Sequence, residues 1–145
     1  MGRSALIFLV FILGALPLVW QDLRDRSVSQ GLLLVVFLAW FGFSWFVGDS
    51  CQSALPLSAG VLVVGTLALL SFPGWFGEAD AIFMAGIALL IPFWGFLLAV
   101  GIACILGFVA FAWLSHFGRR DVSGVALAFL PCLALGGFFV LGGQV

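Results

Sequence analysis

The sequence predicts an all-α integral membrane protein, a bundle of six transmembrane helices, and three observations carry that prediction. Hydrophobic residues make up 65% of the chain and charged residues 8%. Soluble domains carry about 25% charged residues, so no water-facing surface can be assembled from this composition. The apolar residues fall into runs near the length of about 20 residues that a spanning helix needs. The few charges gather at the breaks between those runs, where loops meet water.

The breaks fall at charged or Gly/Pro-rich points and place helices at 4–20, 31–47, 55–72, 80–91, 95–115 and 124–142. The first run, "MGRSALIFLVFILGALPLVWQ", has the single arginine and apolar core of a signal peptide. It lacks an A-x-A-like cleavage site and is read as an uncleaved helix. The fourth helix is short for a span, its end set by Pro92 in "IPFWG", because proline breaks the ladder and disfavours helix in the preceding residue. The rival is a single bent helix over 80–115, which leaves five spans. On the fifth helix Ala99, Ala103 and Gly107, spaced by four, form one close-approach face. With 145 residues and no internal repeat, the chain reads as a single membrane-embedded domain, 1–145.

Charge orients the bundle. Six spans put the loops at 21–30, 73–79 and 116–123 on one side, with Arg24, Arg26, Arg119 and Arg120; the other side holds only Arg3. The positive-inside rule makes the four-arginine side cytoplasmic and both termini non-cytoplasmic. Five spans would cancel that bias. Trp20, Trp75 and Trp113 fall near the cytoplasmic helix ends and Trp45 and Trp94 near the opposite ends, an aromatic belt. Trp40 alone sits mid-helix.

A net charge of −1, with no lysine and no basic tract, gives nucleic-acid binding no electrostatic support. Cys51, Cys104 and Cys132 lack metal-ligand spacing. Cys104 and Cys132 read as small buried residues in apolar runs, Cys51 as a loop residue, and no disulfide or redox site is expected. His116, the sole histidine, reads as an interfacial loop residue. It is too isolated to build a zinc site or to serve as base for a serine nucleophile. No metal and no cofactor are expected.

Aspartate chemistry is what remains. "WQDLRDRSVSQG", residues 20–31, holds Asp22, Arg24, Asp25 and Arg26, four of the chain's eleven charged residues. "GWFGEADAIFMAG", residues 74–86, holds Glu78 and Asp80. Six spans bring Asp22, at the end of the first helix, and Asp80, opening the fourth, to one face of the membrane. Carboxylates near hydrocarbon are costly and are functional candidates by default. Two that share one proton can hydrolyse a peptide bond: the ionised member takes a proton from water while the protonated member polarises the carbonyl. The plainer readings are an interfacial Asp22 paired with Arg24 or Arg26, and Asp80 as a helix-capping or first-turn acid.

These stretches resemble the type IV prepilin peptidases and archaeal preflagellin peptidases, a family of GxGD-type membrane aspartyl proteases. In that family a helix ends in Asp-x-Arg-x-Arg before an Ile-Pro-Asn-like tripeptide; Asp22, Arg24 and Arg26 match, Val28 stands for Ile, and Ser29 and Gln30 replace Pro-Asn. "GEAD", Gly77, Glu78, Ala79 and Asp80, is similar to Gly-x-Gly-Asp, with Ala79 for the second glycine and Ile82 where a lysine usually follows. "ALAFLPCLALGG", residues 126–137, is similar to the Pro-Phe-x-Pro-x-Leu-Ala-x-Gly stretch of the last helix, with Pro131 as its second proline. The three occur in order over nearly the whole chain.

The resemblance implies six helices, a catalytic pair Asp22 and Asp80 at the cytoplasmic face of the inner membrane, and no cofactor. It implies cleavage of the leader of a pilin-like precursor after glycine, with that precursor and the lipid bilayer as partners. The Cys-x-x-Cys domain that accompanies methyl transfer in larger members has no counterpart here, so a short peptidase form is expected. Arg24 and Arg26 read as topology-setting, Pro131 as a helix kink, and Glu78 as an acid beside the pair. The Ala79 and Ile82 departures sustain an alternative, a non-catalytic homologue acting as a pilus or secretion assembly factor. A transporter or channel subunit has little support, since no charge stands at mid-membrane.

Overall fold

A computed structural model of the chain describes residues 2–25, 27–47, 51–71, 77–117 and 129–143. The described residues form six helices: α1 (Arg3–Asp25), α2 (Gln30–Val47), α3 (Cys51–Ser71), α4 (Glu78–Leu90), α5 (Phe93–Phe117) and α6 (Phe129–Gly142). Two stretches, Ser4–Asp25 and Phe93–Trp113, are long and apolar enough to cross a membrane. Gln30–Phe46, Leu55–Ala68 and Phe129–Gly142 are shorter apolar helices.

The single-bent-helix alternative is corrected at Pro92. Ile91 takes φ −119° and ψ 139°, the extended conformation that a following proline imposes. α4 therefore closes at Leu90, and α5 starts afresh with Phe96 N–H donating to the Pro92 carbonyl. α4 spans only about 20 Å at 1.5 Å per residue. It is also the most enclosed helix, packing against α2, α3 and α6 and more lightly against α5. Ala81, Ala85, Gly86 and Ala88 are all buried along it, and such small side chains let neighbouring backbones approach from several sides.

Opposed side chains fix the helix directions. Phe8 meets Phe138 and Gly142 while Phe11 meets Gly137, so α1 and α6 are antiparallel. Ala99 faces Gly136 and Gly107 faces Phe129, so α5 and α6 are antiparallel too. A Cβ at Gly136 would collide with the Ala99 carbonyl, and Ala99 and Ala103 are buried. The small-residue face expected on the fifth helix is thus a seam with α6. Gln30 reaches Glu78 and Ser44 reaches Leu89, so α2 and α4 run parallel. The ends of α1 and α5 and the starts of α2, α4 and α6 consequently share one end of the bundle. Arg26, Trp75, Arg119, Arg120 and residues 124–128 lie outside the described residues.

Several local expectations are corrected. α1 continues to Asp25, so Asp22 lies one turn inside the helix instead of closing it. Cys104 is exposed on α5, and Cys51 opens α3. His116 stands exposed in the last turn of α5, not in a loop. Trp20, Trp45, Trp94 and Trp113 are outward-facing near helix ends, whereas Trp40 is 1% exposed.

Candidate functional site

The site is assembled at the shared end of the bundle from residues 58 positions apart in the chain. Asp22, half-buried, stands in the last turns of α1. After α1 the chain turns back under the Gln21 side chain, whose Oε1 accepts the Ser29 N–H at 3.1 Å. Ser29 then starts α2, its carbonyl accepting the Leu33 N–H at 3.0 Å. Gln21 thereby ties together the turn that follows Asp22.

Asp80, also half-buried, is in the first turn of α4. Its carboxylate accepts the backbone N–H of Gly77, the residue that caps the helix. This is the side-chain half of a capping box. The first-turn role read from the sequence thus holds at Asp80. Gly77 has φ −90° and ψ 146°, a conformation open to any residue, so its value is space. A Cβ there would stand 3.1 Å from Asp80 Oδ2. In "GEAD" it is the retained glycine that touches the carboxylate, while Ala79 packs against the core.

The structure places Asp22 within charge–charge reach of Asp80, a weaker influence there than burial or the Gly77 N–H. Asp22 Oδ2 is buried and has no hydrogen-bond partner among the described residues. Buried carboxylate oxygens are normally satisfied, and an orphan calls for a reason. Among the described residues Asp22 forms no ion pair with Arg24, whose Nε faces Asp25 Oδ1 at 3.8 Å, both side chains exposed; Arg26, the other partner expected for Asp22, lies outside the described residues. An exposed pair of that length contributes little. Glu78 is exposed and turned to Gln30, whose Nε2 lies 3.5 Å from Glu78 Oε2.

One neighbour of the pair was not singled out as a site residue by sequence reasoning. Cys132 on α6 lies within the field of Asp80, a proximity the linear sequence hides because 52 residues separate them. Pro131, in the first turn of α6 as described, lines an apolar groove of about 310 Å³ between α1 and α6. Val19 and Leu23 flank the same groove at the Asp22 end, with Leu16, Leu135 and Phe138 farther along. Among the described residues, no three His, Cys, Asp or Glu side chains gather to hold a metal ion.

Chemically, two carboxyl groups in mutual repulsion can hold one proton between them, leaving one acid and one base on the same site. The buried Oδ2 of Asp22, lacking a donor among the described residues, can accept from a water or a substrate group. Comparison with known protein families, characterised proteins and solved structures finds no match for the chain.

Proposed function

We propose that this protein is an aspartic-type endopeptidase of the inner membrane, a short prepilin-peptidase-like enzyme that removes the leader from pilin-like precursors after glycine. The observation that supports this reading most is the Oδ2 of Asp22, buried and unpartnered among the described residues, on a carboxyl close enough to act on Asp80 by its charge. A structural ion pair would satisfy that oxygen; a water-activating base leaves it open. In the proposed reaction the ionised carboxylate of the pair takes a proton from water as that water attacks the scissile carbonyl. The protonated partner donates a hydrogen bond to the carbonyl oxygen and later returns a proton to the leaving amine. The six helices cross the bilayer with both termini non-cytoplasmic and the pair at the cytoplasmic face, where Arg24, Arg26, Arg119 and Arg120 set the orientation. A bilayer would cover the exposed apolar faces, among them Leu13, Leu16, Phe46, Leu98, Phe108 and Trp94.

A second reading, a non-catalytic assembly factor of the same family, draws on Ala79 and Ile82. Both pack against the hydrophobic core. An apolar residue at 82 therefore fits its surroundings better than the lysine usual there, without bearing on whether water is activated next door.

Incubation of the purified protein in bilayers with a pilin-like precursor, followed by mass spectrometry, separates the two readings. The peptidase reading expects a product shortened at the bond after the leader glycine. Intact precursor across several such substrates would leave the assembly-factor reading standing.

A further inference from the structure

The structure assigns Trp40 the role of a positioning residue for the aspartate pair, a wedge on α2 that sets the spacing between α1, which carries Asp22, and α4, which carries Asp80. The assignment rests on the proposed dyad and concerns what holds it in register.

α1 and α4 are bridged through α2 and α6 instead of forming an extensive interface of their own. Between them lies the Trp40 indole, 1% exposed. Its ring stacks on Phe11 of α1 with centroids 5.5 Å apart at 25°, and tilts against Phe83 of α4, again at 5.5 Å, at 55°. Its Nε1–H donates to the Val10 carbonyl of α1 at 3.2 Å. A carbonyl within a helix has a second lone pair for such a donor, and a buried indole N–H in apolar surroundings has to find one.

Both facing helices are notched to receive the ring. A Cβ at Gly14 of α1 would stand 2.6 Å from Trp40 Nε1, and a Cβ at Gly86 of α4 would stand 2.6 Å from its Cε3. A planar, fully enclosed ring cannot yield by changing rotamer as a long flexible side chain can. The thickness of the wedge and the depth of the notches therefore fix the distance between the two helices. Gly14 lies about 12 Å along α1 from Asp22, and Gly86 about 9 Å along α4 from Asp80, at 1.5 Å per residue. A shift at the wedge is thus carried by rigid helix to the carboxyl pair two turns or so away. An aromatic belt has no use for a tryptophan at this depth.

The test reads distance and rate separately. In a background with Cys51→Ala, Cys104→Ala and Cys132→Ala, the Asp22→Cys/Asp80→Cys variant is treated in membranes with bifunctional methanethiosulfonates of graded length. The length giving the highest yield reports the separation, whatever the protein catalyses. Adding Trp40→Leu should shift that optimum, and adding Gly86→Ala should shift it as well. In the otherwise native chain Trp40→Leu should lower kcat for precursor cleavage by about 10²-fold, with KM within about twofold, as expected when reacting groups are displaced by about an ångström. Trp40→Phe, which thins the ring, should restore part of the rate lost in Gly86→Ala. A merely stabilising residue would not rescue a variant in this way.

An unchanged cross-linking optimum in Trp40→Leu protein that keeps its helical circular dichroism would overturn the assignment. If Trp40→Leu fails to accumulate, Trp40→Phe and Gly86→Ala carry the same test. A shifted optimum, together with no cleavage of precursor by the native chain, supports the wedge while removing the peptidase reading.

Discussion

Asp80 is held by the Gly77 N–H, whereas Asp22 keeps one oxygen buried and unpartnered among the described residues, and this asymmetry sets the expectations at the residue scale. If the pair works with one proton, the rate of precursor cleavage falls on both sides of an optimum. Acid protonates both carboxyls and removes the base; alkali ionises both and removes the acid. A pH–rate profile with a single limb would contradict a shared proton. Gly77→Ala places a methyl group 3.1 Å from Asp80 Oδ2 without backbone strain. It should lower kcat about tenfold through displacement of the carboxyl, while thermal unfolding in detergent stays unchanged. Wild-type turnover in Gly77→Ala would show that the contact has no bearing on the pair. Both aspartates and the retained glycine were legible in "WQDLRDRSVSQG" and "GEAD". The partners of the surrounding charges were not. Arg24 to Asp25 and Glu78 to Gln30 are choices among neighbours that only the register between helices decides.

Among the elements, α2 fastens the bundle with two polar side chains directed at backbone carbonyls of its neighbours. Trp40 reaches α1, and Ser44 Oγ donates to the Leu89 carbonyl of α4 at 3.0 Å. Leu89 lies in the last turn of α4, where carbonyls have no intrahelical donor, and no water competes for them in an apolar interior. Ser44→Ala should therefore cost about 1–3 kcal/mol, the usual penalty for an orphaned buried acceptor, read as a lowered unfolding midpoint. An unchanged midpoint would mean that the carbonyl finds another donor. The break between α4 and α5 was readable from Pro92 because proline acts locally. The role of Trp40 was not, since α2 is apolar all round and such a helix carries no stripe to say which face packs. Mid-helix placement was the sole signal, visible as the tryptophan the aromatic belt left over.

At the scale of the molecule, the six helices of the described residues bring the ends of α1 and α5 and the starts of α2, α4 and α6 to one end. The spacing of charged breaks foretold that grouping. The proposed orientation rests on Arg24 together with Arg26, Arg119 and Arg120, the last three outside the described residues. In cysteine-free protein, single Ser29→Cys and Glu78→Cys variants should label with a membrane-impermeant maleimide from the cytoplasmic side, and Trp94→Cys from the opposite side. Labelling of Ser29→Cys and Glu78→Cys from opposite sides would dismantle the shared end and the site with it. The central claim, that Asp22 and Asp80 together activate water, is tested most directly by precursor cleavage rates of Asp22→Asn and Asp80→Asn beside wild type. Each variant should lose at least about 10²-fold, as removal of a general acid or base does, while retaining wild-type expression and helicity. Cleavage at the wild-type rate by either variant would contradict the account.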